Sequence, residues 1–164
     1  MYIGIISDTH AYVDKRIKKF LEPVDELWHA GDFGNIETAD EWASFKPLKG
    51  VYGNCDGAEI RRDYPPVQLM EAEGRKILMT HIGGYPGRYD SKALQLIGGY
   101  RPDIFVCGHS HILRVMNDKH YDMLVLNPGA AGTYGFHQVQ TALRFKIEKG
   151  RIFDMEVGQW EFER

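Results

Sequence analysis

The hydrophobic pattern changes period along the chain. YIGIIS (2–7) is a short run rich in isoleucine, as expected of a buried strand. KRIKKFLEP (15–23) places Ile17, Phe20 and Leu21 at helical spacing and stops at Pro23. DELWHA (25–30) reads as a second strand. IETADEWASFK (36–46) reads as a helix with Trp42 and Phe45 on its inner side, and LKGVYG (48–53) as a third strand. That β-α-β-α-β order predicts a parallel sheet with helices packed on it.

The second half is richer in strands. PVQLMEAEGRKILMTH (66–81) predicts a hairpin turning at Glu73-Gly74, and TALRFKIEKGRIFDMEV (141–157) another turning at Lys149-Gly150. Between them, SKALQLIGGY (91–100) is a short helix ended by glycines, and DIFVCG (103–108) is a strand. LRVMND (113–118) and DMLVLNP (122–128) are strands joined around Lys119-His120. The pattern predicts an α/β sandwich: two mixed β-sheets face to face, flanked by helices.

At 164 residues and 43% hydrophobic, the chain is expected to form one domain, 1–164, with a sizeable core and no cap domain. A net charge of -3 and no long basic run mean that nucleic acid binding is not indicated. No apolar run approaches the roughly 20 residues that cross a bilayer, so no membrane partner is expected. Strand-like sequence from Tyr2 shows no export signal, and Cys55 and Cys107 read as reduced thiols, so a cytoplasmic protein is expected. Self-association into a homo-oligomer is left open.

Polar residues collect where the strands end. The first strand runs into Ser7-Asp8-Thr9-His10, the second into His29-Ala30-Gly31-Asp32, and the third into Gly53-Asn54-Cys55-Asp56. Strand 76–80 runs into His81, and strand 103–107 into Gly108-His109-Ser110-His111. Ligands of open α/β sheets bind outside the carboxyl ends of strands. Alignment of these strands would therefore gather carboxylates, an amide oxygen and imidazoles at one spot. Such donors suit Mn, Fe, Ni, Co or Zn better than Mg or Ca. Seven donors exceed what one tetrahedral ion needs and suit two ions about 3.5–4 Å apart sharing a carboxylate. Alone, Asp-x-His and Gly-Asp are close to noise and Gly-His-Ser-His could be a turn. The conjunction of five such segments in this order is what carries the signal.

In that order the chain resembles the calcineurin-like metallophosphoesterase superfamily, whose pattern runs D-x-H, G-D, G-N-[HC]-[DE], H, G-H-x-H. The match extends from Met1 to about Ala131, and Asn127-Pro128-Gly129-Ala130 resembles a further recurrent family segment. The short length and Gly-Asn-Cys-Asp look most like the small YfcE-like phosphodiesterases. The resemblance implies that Asp8, His10, Asp32 and His111 hold a first metal, with Asp32 bridging. It implies that Asn54, His81 and His109 complete a second, Asp32, Asn54 and His109 being the residues nearest the chemistry. Mn or Ni is implied first, with Fe, Co or Zn as further candidates. The implied reaction is hydrolysis of a small phosphodiester by a hydroxide held between the two ions. The alternative is a silent scaffold or binding module of the same fold, like the retromer subunit that resembles these enzymes but has lost several ligands.

Many superfamily members carry histidine where this chain has Cys55, and that histidine is thought to protonate the leaving group. A thiol of ordinary pKa, about 8.5, is a poor substitute, so activated diesters are the expected substrates. His29 is read as a buried supporting residue, Asp56 as orienting Asn54 or Cys55 or capping a turn, and His120 and His137 as surface residues. Tyr12, Phe33, Tyr85, Arg88 and Tyr134 lie near the motif loops, as candidates for substrate contact or as plain loop residues.

Overall fold

The computed structural model describes residues 1–163. Its first half follows the expected alternation: β1 (Tyr2–Ile6), α1 (Lys15–Leu21), β2 (Glu26–His29), α2 (Ile36–Phe45) and β3 (Leu48–Gly50). Both helices start where side chains cap free backbone N–H groups. Asp14 accepts from Arg16 N at the start of α1, and Asn35 from Thr38 N at the start of α2. α3 (Ala58–Asp63) follows, a helix the apolar pattern did not predict; only Ile60 of its six residues is buried.

The strand-rich half contains β4 (Val67–Ala72), β5 (Arg75–Thr80), the ribbon β6 (Gly84–Tyr85) and β7 (Arg88–Tyr89), and α4 (Ser91–Tyr100). It continues with β8 (Ile104–Val106), β9 (Leu113–Asp118), β10 (Met123–Pro128), β11 (Val139–Glu148) and β12 (Arg151–Glu161). Both predicted hairpin turns form with positive φ at the pair, 50° and 83° at Glu73-Gly74 and 50° and 80° at Lys149-Gly150, which matches the right-handed twist of the flanking strands. Several boundaries differ from expectation; β8 is shorter than 103–108 and β11 starts at Val139 rather than at residue 141. β3 ends at Gly50 rather than at residue 53, because Val51–Asn54 peels away toward the site. β12 runs on to Glu161. α4 is not ended by Gly98 and Gly99: it continues to Tyr100 and closes at Arg101, which takes the left-handed conformation (φ 52°) and returns its N–H to Ile97 O.

Two five-stranded sheets form, in the orders β12-β11-β1-β2-β3 and β4-β5-β8-β10-β9. Strands β1, β2 and β3 are mutually parallel, as are β5, β8 and β10, with antiparallel partners at the margins. Alternation along each strand decides which layer a side chain joins. Ile3 and Ile5 meet Ile77, Met79, Ile104, Val106, Leu143 and Phe145 between the sheets. Ile6 and Leu27 face the layer of α1 and α2, where Ile17, Leu21 and Trp42 are buried. Leu78 and Phe105 face α4 through Ala93 and Ile97. The carboxyl ends of β1, β2 and β3 in one sheet and of β5 and β8 in the other open onto the same end of the sandwich.

Ile5 is completely buried in the layer between the sheets. Ile5→Ala should destabilise the protein by about 2–5 kcal/mol, seen as a lower denaturant midpoint at unchanged slope.

Candidate metal centre

All seven candidate ligands converge at that end of the sandwich. Asp8, His10 and His111 form one group in which each residue offers a ligand atom within 4.8 Å of the others. Asp32, His81 and His109 form a second group on the same criterion. Asn54 joins the second, its Oδ1 3.1 Å from His109 Nδ1. The groups touch through the carboxylates: Asp32 Oδ2 lies 3.2 Å from His81 Nε2 and 3.6 Å from His10 Nε2, and Asp8 Oδ1 lies 3.7 Å from His10 Nε2 and 3.8 Å from His81 Nε2.

Each carboxylate is anchored by one oxygen and presents the other. Asp8 Oδ2 accepts from the Ser7 hydroxyl (2.6 Å) and from His109 N (3.0 Å), which leaves Oδ1 toward the imidazoles. Asp32 Oδ1 accepts from Cys55 N (2.9 Å), which leaves Oδ2. Asp8 and Asp32 are 0% and 2% exposed, so their charge has little water to stabilise it. Burial alone would raise the pKa of Asp8, but contacts with His10, His111, Ser7 and His81 outweigh it and hold the carboxyl well below the usual range. Asp32 shows the same contest, with burial opposed mainly by His81, and ends lowered. Burial pushes the His81 ring down, but Asp32 and Asp8 outweigh it and leave its pKa raised.

The histidine rings are fixed from behind, so their tautomers can be read. His81 Nδ1 lies 2.7 Å from Ala30 O. A carbonyl only accepts, so Nδ1 carries the proton and Nε2 is bare in the neutral ring. His137 Nε2 lies 2.7 Å from Gly132 O and must likewise donate, which leaves His137 Nδ1 as an acceptor. His111 Nδ1, 3.1 Å away, donates to it, and His111 Nε2 is turned to Asp8 Oδ1 at 3.1 Å. Burial lowers the pKa of His137, in keeping with a neutral ring. Metal-binding histidines are held in this way by outer hydrogen bonds.

The fit to cations rests on one further observation. His10 Nε2 and His81 Nε2 are buried and have no hydrogen-bond partner, an arrangement that costs about 1–3 kcal/mol per group unless something else satisfies them. Two such nitrogens beside two carboxylates form a donor set suited to divalent transition metals.

The backbone is bent to reach this arrangement. Five of the seven candidates have positive φ: Asp8 54°, His10 43°, Asp32 57°, His109 69° and His111 62°. Adjacent glycines make room. A Cβ on Gly31 would sit 2.5 Å from His81 Nδ1, and one on Gly108 would collide with the Ser7 hydroxyl. Asn127 secures the Gly-His-Ser-His loop, donating from Nδ2 to Gly108 O (3.0 Å) and Ser110 Oγ (3.2 Å).

Residues outside the seven take supporting places. His29 is fully buried; it lies 3.0 Å from Thr9 Oγ1 and accepts from Gly31 N, and burial pushes its pKa down to about 3. Asp56 caps the loops, accepting from Gly34 N and Gly53 N, and does not bond the side chain of Asn54 or Cys55. Phe33 is not at the surface: it is fully buried, stacked on His29 with centroids 3.6 Å apart. Tyr134 is 69% exposed and leans on the His10 ring. Tyr85 and Arg88 belong to the β6–β7 ribbon. Cys55 is exposed, with its sulfur among His10 and Asp32, and burial together with Asp32 raises its pKa, so it stays a thiol. His120 is exposed, as expected. His137 corrects the sequence reading. It is no plain surface residue but the partner of His111, brought there by the loop from Gly129 to Gln138. The glycines at 129, 132 and 135 were the available signal of close backbone approach.

Removing the acceptor in His137→Ala should weaken Mn²⁺ binding by about 10–100-fold, read by calorimetric titration of the metal-free protein. In His137→Asn an amide oxygen can stand in for Nδ1, and most of the affinity should return.

Among known proteins, the sequence model of the calcineurin-like phosphoesterase superfamily domain matches residues 1–150. A probable metallophosphoesterase from Methanothermobacter thermautotrophicus is 30% identical over 138 residues, 79% of this chain and 77% of that protein. An archaeal phosphodiesterase shares the fold at TM-score 0.75 and 24% identity, over 96% of this chain and 99% of its own. So does zinc-bound Vps29 from Entamoeba histolytica, at TM-score 0.75 and 18% identity, over 99% and 100%. Ligand motifs, sheet order and sequence similarity agree, and the chain belongs to the calcineurin-like phosphoesterase superfamily.

Proposed function

We propose that this protein hydrolyses small phosphodiesters with the help of two divalent transition-metal ions, manganese or nickel before iron, cobalt or zinc. The observation that carries the reading is the pair of buried, unpartnered Nε2 atoms of His10 and His81, both within 3.6 Å of Asp32 Oδ2. Asp8, His10, Asp32 and His111 would hold the first ion, and Asn54, His81 and His109 the second, with Asp32 serving both. When bound, such a pair of cations acidifies water and neutralises charge developing on phosphate oxygens.

The side chains supply position. Asp8 and Asp32 are held by one oxygen each, so neither can swing away as charge changes nearby. Asn54 and His109 are exposed, and this open edge is where a phosphate would enter. General acid help is weak. The Cys55 thiol stands beside Asp32 at that edge, but its contact with Asn54 Nδ2 is a long 3.5 Å, and sulfur is a poor hydrogen-bonding partner. Substrates whose leaving group departs unaided are therefore favoured, and diesters over monoesters. Two free cysteines and the lack of any helix long and apolar enough to cross a membrane among the described residues accord with the cytoplasmic location we propose.

Vps29 proteins share this fold, and a silent scaffold is the competing reading. Vps29 from Entamoeba histolytica binds zinc, so metal content alone does not separate the two and turnover does. Reconstituted protein should hold two ions per chain by elemental analysis and hydrolyse bis-p-nitrophenyl phosphate, and a chelator should remove that activity reversibly. Asp32→Asn should keep the fold, lose one ion or both, and fall below about a tenth of wild-type turnover. Saturation at one ion with full activity would overturn the two-metal reading.

Cys55 contributes its backbone N–H to Asp32, which any residue retains. Cys55→Ala should thus leave diester turnover within a few-fold of wild type, whereas loss of a positioned general acid would cost about 10²–10⁴-fold. A collapse with metals still bound would make the thiol catalytic.

A further inference from the structure

A cavity of about 470 Å³ opens beside the second group of candidate ligands, with Asn54 and His81 in its wall. It lies between the loop after β3, the start of β4, the end of β5 and the first turns of α4. Tyr52, Val67, Ile82 and Leu96 contribute its apolar surface. Two of its polar side chains are already engaged. Thr80 Oγ1 donates to Ile82 O at 2.9 Å, and the Asp90 carboxylate caps α4 through Lys92 N and Ala93 N. Two cations stand at the rim. Lys92 is exposed, and Arg61 lies over the Tyr52 ring, 4.5 Å from its centroid, while its Nε bonds Asp56 O. The cavity thus joins the apolar surface of Tyr52, Val67, Ile82 and Leu96 to a cationic rim, directly against the place proposed for phosphate.

We infer that this cavity is the subsite for one ester arm of the substrate and that it selects a large apolar arm, such as an aryl group, over a small one. The inference rests on the proposed phosphodiesterase reading. An anionic phosphoester would place its phosphorus by Asn54 and His81 under the rim charges and its hydrocarbon against Val67, Ile82 and Leu96. Small arms leave the apolar surface wet.

The test uses non-hydrolysable probes on Mn²⁺-loaded protein, with phenylphosphonate and methylphosphonate titrated by calorimetry at a pH where both are dianions. Phenylphosphonate should bind about tenfold or more tighter, the scale expected for burying a ring. Leu96→Ser, which makes the wall polar, and Ser91→Trp, which crowds the mouth from an exposed helix position, should bring the ratio toward one with melting temperatures close to wild type. Equal binding of the two probes by wild type, or an unchanged ratio in both variants, would overturn the subsite while leaving the metal reading intact. Binding of neither probe would overturn the phosphate reading and the subsite with it.

Discussion

Two carboxylates buried side by side govern the design of this molecule. Asp8 and Asp32 have lost nearly all contact with water, and an uncompensated charge in that position costs several kcal/mol. The fold answers with donors drawn from far along the chain. Ser7 and Cys55 N–H come from one sheet, His81 and the His109 N–H from the other, and His111 reaches back across the gap between them. Neither sheet alone could neutralise the pair. The face-to-face packing of Ile3 and Ile5 on Ile77, Met79, Ile104 and Val106 is therefore more than a core. It sets the distance at which imidazoles from one sheet meet carboxylates from the other.

That arrangement has a conformational cost. Left-handed backbone at a non-glycine residue costs on the order of 1–3 kcal/mol, and five of the seven site residues adopt it. Aspartate and histidine tolerate the region better than most, so the residue types demanded by chemistry are also those the geometry accepts. Hydrogen bonds between loops offset part of the strain: Asp8 N to Gly31 O, His10 N to Asp32 O and Gly132 N to Asp8 O. Bound cations would add the rest, since anything that binds only the folded state stabilises it.

Much of this was legible in the residues. Isoleucine runs and alternating strands announced the two sheets, Glu73-Gly74 and Lys149-Gly150 announced their turns, and the polar residues after β1, β2, β3, β5 and β8 announced the site. What escaped notice did so for physical reasons. α3 buries one side chain, too few to impose a helical period. Arg101 ends α4 by adopting a conformation that its identity does not advertise. Phe33 and His137 were misread because their surroundings are tertiary. Phe33 is enclosed by Ala39, Ile60 and Tyr64 from elements that follow it, and His137 meets a ring 26 positions earlier in sequence.

His137 also explains why the chain beyond His111 belongs to the site although it holds none of the seven ligands. β11 is zipped to β1 from Tyr2↔Lys146 to Ile5↔Leu143. The loop before it then lies over the end of β1, where Ala131 N bonds Ser7 O and Gly132 N bonds Asp8 O. The same glycine's carbonyl receives the His137 proton, and His137 in turn receives that of His111. One loop thus anchors the backbone of Asp8 and orients the imidazole facing it. On the opposite side no comparable strap among the described residues crosses Asn54 and His109, which remain exposed. The asymmetry divides the labour: the first group of ligands is locked by the fold, and the second is left open where a substrate must enter and where neighbouring walls can choose among substrates.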